Sequence, residues 1–215
     1  MLKEDLLGTI ENLFISRKNN YPQQIDGKNV YTVINKPLTK EIIQRHLNGT
    51  ITIGCWQVND NKVKWICFDF DGDLKEEFEK AKKLFYLLKE KKFNPLLEFS
   101  GRRGYHIWIF IEPTDLSIAR IFALEISKTY SPNEVFPKSK NLTGKKFGFQ
   151  VKLPLGLHRV TMLRSYLFDE NLKPLNQEQS RNFLIKIKEM KRNKIVFKNL
   201  KFFGDKNDNT NTMVR

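Results

Sequence analysis

Trp65-Ile66-Cys67-Phe68-Asp69-Phe70-Asp71-Gly72-Asp73 is an apolar run that ends in alternating carboxylates. In a strand, side chains two residues apart point to the same side with roughly 7 Å between their backbones, so Asp69 and Asp71 are expected to share a face. Two carboxylates held that close repel each other unless a cation lies between them. An oxygen-rich pair at a strand end suits Mg²⁺ or Mn²⁺. Taken alone, the same residues read equally well as Asp and Gly opening a surface turn after a strand. Asp73, with Glu76 three residues on, has the form of a helix N-cap and is assigned that role.

The stretch Glu98-Phe99-Ser100-Gly101-Arg102-Arg103-Gly104-Tyr105-His106-Ile107-Trp108 tips the balance toward a metal site, because its turn is built for phosphate. Two glycines let backbone N–H groups approach an anion, and two adjacent arginines supply forked donors. The Ser100 hydroxyl and His106 imidazole complete a ring that fits a triphosphate. An exposed hairpin tip with incidental arginines is the alternative, but it does not explain a histidine entering an apolar strand directly afterwards. If the loop comprises Gly101 to Tyr105, Ser100 faces His106 across the hairpin, and Glu98 and Trp108 follow on the same face. A four-residue loop puts Ser100 and His106 on opposite faces. Trp108 and Phe110 read as core.

With 215 residues and 40% hydrophobic content, the chain can bury one sizeable core. A formal charge of +14 makes an anionic partner the expectation, and nucleic acid is the commonest such partner for a basic domain. Cys55 and Cys67 sit in apolar runs and read as small core residues in a reducing, cytoplasmic setting, too few for a zinc ribbon. Neither a signal peptide nor a run of transmembrane length appears, so no membrane partner is expected.

In chain order, residues 2 to 16 carry the apolar spacing of one helix face. Asn19 to Lys28 reads as loop and turn, Val30 to Ile34 as a short strand, and Thr39 opens a helix stopped by Asn48-Gly49. Ile51 to Val58 and Val63 to Asp71 are expected to form a hairpin about Asn59-Asp60-Asn61. A helix follows to about Lys92, then strands Leu96 to Ser100 and Tyr105 to Ile111 and a helix from Asp115 to about Tyr130, capped by Thr114 or Asp115. The order strand, helix, strand, strand is half the pattern of an RNA-recognition-motif-like (RRM-like) sheet. The loop Ser131 to Lys140 is placed across the substrate groove, and Phe147 to Leu153 returns as a strand. Lys152-Leu153-Pro154-Leu155-Gly156-Leu157-His158-Arg159 sets a cation, an imidazole and a guanidinium around a Pro-Gly bend, a segment that alone carries no functional claim. Asn176 to about Arg192 reads as a helix, Ile195-Val196-Phe197 as a short apolar run, and Gly204 to Arg215 as a disordered tail.

Three ordered motifs, Asp69-Phe70-Asp71, Ser100 to His106, and Lys152-Leu153-Pro154 with His158, together resemble the archaeo-eukaryotic primase superfamily. The arginine turn looks like that of the replicative primase small subunit. Trp65 to Asp71, Val135-Phe136-Pro137-Lys138 and Val151 to His158 look closest to TOTE-type and CRISPR-associated primase-polymerase domains. The resemblance implies an α+β, archaeo-eukaryotic primase fold, an RRM-like antiparallel or mixed sheet with an N-terminal α/β lobe. Residues 1–172 are then the catalytic core, with the lobe over about 1–60 and the RRM-like part over about 61–172. Residues 173–215 hold the C-terminal helix and tail. It implies metal ligation by Asp69 and Asp71, with His106 catalytic, and an incoming triphosphate held by Ser100, Arg102, Arg103, His106, Lys152 and His158. Lys138, Lys140 and Arg159 are the expected nucleic-acid contacts.

The replicative subunit has a third metal carboxylate about twelve residues before its lysine, where this chain has Lys140 and no acid until Glu134. Glu98, on the predicted face of Ser100 and one strand over from the aspartates, is the expected substitute, directly or through water. The implied chemistry is two-metal nucleotidyl transfer, with two Mg²⁺ or Mn²⁺ ions joining NTPs or dNTPs on a single-stranded DNA template and primer. Further domains, or CRISPR and replication proteins of a longer parent chain, are the other expected partners. A catalytically silent nucleotide or single-strand binding module and a metal-dependent nuclease are the alternatives.

Overall fold

The computed structural model describes residues 2–142, 144, 147–189 and 192–195. Along the chain lie α1 (Leu2–Phe14), β1 (Tyr21–Gln24), β2 (Tyr31–Ile34), α2 (Lys40–Asn48), β3 (Gly54–Trp56) and β4 (Lys62–Asp71). They are followed by α3 (Leu74–Glu90), β5 (Pro95–Phe99), β6 (Gly104–Asp115), α4 (Leu116–Ser127), β7 (Glu134–Phe136), β8 (Gln150–Lys152), β9 (Tyr166–Leu167) and α5 (Gln177–Lys186).

The apolar run ending at Asp71 is β4, and it lies inside a five-stranded sheet ordered β7-β4-β6-β5-β9 whose neighbours all pair antiparallel. Leaving out the short edge strand β9, the sequence β4-α3-β5-β6-α4-β7 with spatial order fourth, first, third, second is the RRM-like pattern. Alternation sorts the side chains between two cores. Ile66, Phe68 and Phe70 of β4, with Leu97, Phe99, Ile107 and Ile109, face the helices α3 and α4. Trp65 and Cys67, with Leu96 and Trp108, face the other way onto α1, α2 and the strands around them. Phe14 of α1 meets Trp108 edge-on at 5.1 Å, Trp65 meets Trp108 at 5.0 Å, and the Trp65 indole donates to the Phe14 carbonyl at 2.9 Å.

Local signals hold where they are strong. Asp73 caps α3 by accepting from the Lys75 and Glu76 amides, and Asp115 rather than Thr114 caps α4 through the Ser117 amide. Gly49, at φ 81°, ends α2. Asn176 and Gln179 form a capping box on α5.

Three expectations are corrected. β3 pairs with β8, not with β4, so the Asn59 turn closes only a single bridge to Lys62. Tyr21–Gln24, read as loop, is a strand paired with β2. Helix α5 stops at Lys186 and tightens into a 3₁₀ turn, Ile187–Glu189. Of the run Ile195-Val196-Phe197 only Ile195, which is buried, is among the described residues, and the tail Gly204 to Arg215 lies outside them. No described helix is long and apolar enough to cross a membrane.

Candidate active site

Four titratable residues form one row across the sheet. Register sets Glu134 of β7 opposite Asp69 of β4, Asp69 opposite His106 of β6, and His106 opposite Glu98 of β5. Directly opposed residues share a face with Cβ atoms about 4.5–5.5 Å apart, so all four project from the face that carries Trp65, Cys67 and Trp108. Where those residues make a dry core, the row two residues further along β4 opens into a cleft.

Asp71 ends the strand beside Asp69, opposite Gly104. A Cβ at Gly104 would stand 1.8 Å from the Phe70 carbonyl oxygen, so only glycine lets the arginine turn close onto β4. The turn is three residues, Gly101 to Arg103, with Gly101 at φ 88° and the Ser100 amide donating to the Gly104 carbonyl. This corrects the expected pairing of Ser100 with His106. The register differs by two residues, so Glu98 takes the place opposite His106 and the shared face is preserved. The Gly72 amide donates to the Arg103 carbonyl, and Arg103 Nη2 donates to Asp71 Oδ2 at 2.8 Å. Asp71 is tied on its other side by its own amide, which donates to Asn133 Oδ1.

The second motif arrives from β8 and the bend after it. Lys152 Nζ donates to Ser165 Oγ at 3.0 Å and to the Leu153 carbonyl, and stands 3.6 Å from Glu98 Oε1. His158 Nδ1 accepts from the Val160 amide, which leaves Nε2 as the ring donor. Together these groups line a cleft of ≈ 410 Å³ whose walls include Asp69, Asp71, Glu134, Ser100, Arg102, His106, Lys138, Lys152 and His158.

Charge is divided across that cleft. Burial raises the Asp69 carboxyl above its ordinary value, and Glu134 and Asp71 add to the rise against His106. Burial alone would also raise Glu98, but Lys152 and then His106 outweigh it and hold it below the carboxylate range. Burial lowers His106 less than its Glu98 hydrogen bond, the Glu98 charge and the Asp69 charge raise it. Burial, with Lys152 and Arg102, pushes His158 down to about 4.

The structure thus gathers Asp69, Asp71, Ser100, Arg102, His106, Lys138, Lys152 and His158 around one cleft. Arg103 sits at its edge on Asp71. Glu98 does not reach the cleft surface; it lies behind His106, with β6 between it and β4, rather than one strand over from the aspartates. Arg159 is buried, its Nε 3.2 Å from Asp26, and Lys140 is exposed outside the cleft lining. Sequence reasoning named Glu134 only as the nearest acid before Lys140 and gave it no role, and it missed Ser165, which accepts from Lys152, and the cleft-lining Tyr31. The pairing of Glu134 with Asp69 depends on β7 docking at the sheet edge, which no local signal encodes. Among the described residues, no three His, Cys, Asp or Glu side chains are gathered tightly enough to hold a metal ion. Glu134 is ion-paired with Lys138.

Among curated proteins none matches this chain. Among solved structures, the polymerase domain of Mycobacterium tuberculosis ligase D, determined in complex with DNA, superposes with a TM-score of 0.50 at 12% identity, covering 88% of this chain and 89% of that one. The catalytic domain of primase RepB′, determined with initiator DNA, gives 0.47 at 11% identity over 85% and 93%. The family described as the archaeo-eukaryotic primase domain of TOTE conflict systems matches residues 10–197, nearly the whole described chain, and this protein belongs to it.

Proposed function

We propose that this chain is a template-directed nucleotidyltransferase, a DNA primase and polymerase that joins NTPs or dNTPs on single-stranded DNA. Family membership supports a nucleotidyltransferase. The observation that carries the finer reading is one cleft with an acidic wall, Asp69, Asp71 and Glu134, facing a basic wall, Arg102, His106, Lys152 and His158.

The acidic wall fits a divalent cation. Its carboxylates are neighbours on one sheet face, and Asp69 is held above its ordinary range by burial and by the other two charges, a strain that Mg²⁺ or Mn²⁺ relieves. Asp69, Asp71 and Glu134 would hold the ions, which supply positive charge to the reacting phosphate and departing pyrophosphate when bound. The chain's own residues do the rest. Lys152, Nε2 of His106, the Nε2 donor of His158, Arg102 and the Ser100 hydroxyl line the volume a triphosphate would fill. Fixed donors of this kind act most strongly where negative charge grows during transfer. Arg103, held at the edge of the cleft by Asp71, would be free to turn to the nucleotide when that carboxylate holds a cation. Lys138, beside Glu134 in the cleft wall, and the exposed Lys140 outside it would contact DNA phosphates without reading sequence, consistent with the net charge of +14. Arg159 is left out of that set because Asp26 already engages it.

The test is synthesis on single-stranded DNA with labelled NTPs or dNTPs, with and without a primer, by the wild type and by Asp69→Ala/Asp71→Ala. Metal-dependent synthesis by the wild type and none by the folded double variant is expected. Synthesis retained by the double variant would overturn the reading. So would metal-dependent DNA cleavage without nucleotide, or nucleotide binding without any extension, the marks of the nuclease and of the silent binding module.

A further inference from the structure

Glu98 has 0% of its surface exposed, yet it is surrounded by groups that do reach the cleft. Its Oε2 accepts from His106 Nδ1 at 3.0 Å and from Trp108 Nε1 at 2.9 Å. Its Oε1 has no hydrogen-bond donor and stands 3.6 Å from Lys152 Nζ. A carboxylate can only accept, so the proton of that His106 bond sits on Nδ1, and Nε2 is turned toward Asp69, 3.7 Å away, and the cleft. Lys152 is held on a second side by Ser165 Oγ, itself fully buried. One carboxylate thus serves two groups that arrive from different strands, β6 and β8, and that share no other contact in the ladder of the main sheet.

A buried carboxylate is costly unless its partners repay the lost hydration, and packing alone gives no reason to choose an acid in a site flanked by Leu96, Trp108 and Leu167. The register explains the choice. Position 98 is the only place in β5 opposite His106, and its side chain reaches both His106 and Lys152 from behind.

We propose that Glu98 is a positioning residue, not a metal ligand: from behind the cleft it fixes the His106 ring and, with Ser165, the Lys152 ammonium, so that both face the same triphosphate. This inference rests on the nucleotide-binding reading above. Oε2 is taken up by His106 and Trp108, Oε1 faces the Lys152 ammonium at 3.6 Å, and β6 separates Glu98 from the aspartates. Metal therefore gains nothing from it directly.

The experiment measures binding of a fluorescent dATP analogue with Ca²⁺ in place of Mg²⁺, so that no turnover is needed, together with the Mg²⁺ midpoint of primer extension at saturating nucleotide. Glu98→Gln should weaken nucleotide binding by about tenfold, the size of one charge-assisted contact, and leave the Mg²⁺ midpoint unchanged. In a His106→Gln background the further loss from Glu98→Gln should shrink to about threefold or less, because the carboxylate acts through that ring. Ser165→Ala, which removes only the hydroxyl beside Lys152, should weaken binding in the same direction by a smaller factor. It carries the test if Glu98→Gln does not fold. Unchanged binding in both single variants, losses that simply add to that of His106→Gln, or a raised Mg²⁺ midpoint each overturn the inference. Failure of the wild type to bind the analogue at all would instead sink the nucleotidyltransferase reading on which it rests.

Discussion

Arg103 Nη2 lies 2.8 Å from Asp71 Oδ2, so the arginine turn and the carboxylate strand are tied to each other. The guanidinium is more than half exposed and the carboxylate more than a third, so this pair contributes only about 0.2–1 kcal/mol. It is strong enough to order the turn and weak enough to yield. Arg103→Ala should therefore tighten Mn²⁺ binding, followed by paramagnetic resonance, by less than about fivefold, while raising the nucleotide KM. An arginine that served only as a surface residue would move neither quantity.

In the proposed metal site Glu134 would stand in for the third carboxylate that this chain lacks about twelve residues before Lys152. Its ladder position opposite Asp69 brings it to the carboxylate pair, and Lys138, stacked 4.8 Å over the Phe136 ring, restrains it. Glu134→Gln should raise the Mg²⁺ midpoint for extension by about tenfold or more with little change in melting temperature. Lys138→Ala should lower that midpoint by freeing the carboxylate. If neither variant shifts it, Glu134 is no ligand.

How much of this was legible varied with how local the signal was. The alternation through β4, the cap at Asp73 and the glycine stop at Gly49 are fixed by residues within a few positions of one another, and the structure has them as the sequence reads, while the α4 cap, open between Thr114 and Asp115 in the sequence, is Asp115. The partner of β3 is different. Gly54–Trp56 is a short, fully buried apolar strand that fits any open edge, and the nearest strand in sequence lost to β8, some ninety residues away. The same limit left Glu134 without a role and misplaced Glu98. Strand parity put Glu98 correctly on the face of Ser100 and His106, but strand order, which parity does not reveal, interposed β6 and turned an expected ligand into a residue behind the site.

His46 provides a pH dependence with a definite sign. Its Nδ1 accepts from the Ile53 amide and its Nε2 bonds the Pro154 carbonyl, a pattern that requires the neutral ring. Burial, then the Lys152 charge, lowers it from 6.5 to about 3. Between those values the unfolded chain binds a proton that the folded chain refuses. Stability is thus intact above about 6.5 and falls as pH drops toward 3, by about 1.4 kcal/mol per pH unit for this group. His158 acts with the same sign down to about 4. Comparing wild type with His46→Gln isolates one group: in urea unfolding, the stability gap at pH 7 should narrow steadily between pH 6 and 4. A constant gap would mean that His46 titrates alike in both states.

Two glycines give opposite expectations for the same substitution. Gly8 lies inside α1, where a Cβ meets nothing within 4 Å, so Gly8→Ala should stabilise the chain by about 0.5–1 kcal/mol through helix propensity alone. At Gly104 the added Cβ would fall 1.8 Å from the Phe70 carbonyl oxygen and 3.0 Å from the Asp71 Cα, both backbone atoms that cannot swing away. β4 and β6 must then part at the point where Asp71, Arg103 and Ser100 are assembled. Gly104→Ala should cost about 1–3 kcal/mol, seen as a lower melting temperature, and should lose nucleotide binding out of proportion to that cost. Its effect on binding should exceed that of Arg103→Ala, since it displaces the whole turn rather than one guanidinium. A Gly104→Ala protein that melts like the wild type and binds nucleotide equally well would mean that the turn does not need to close on β4, and the geometry on which the phosphate site depends would have to be redrawn.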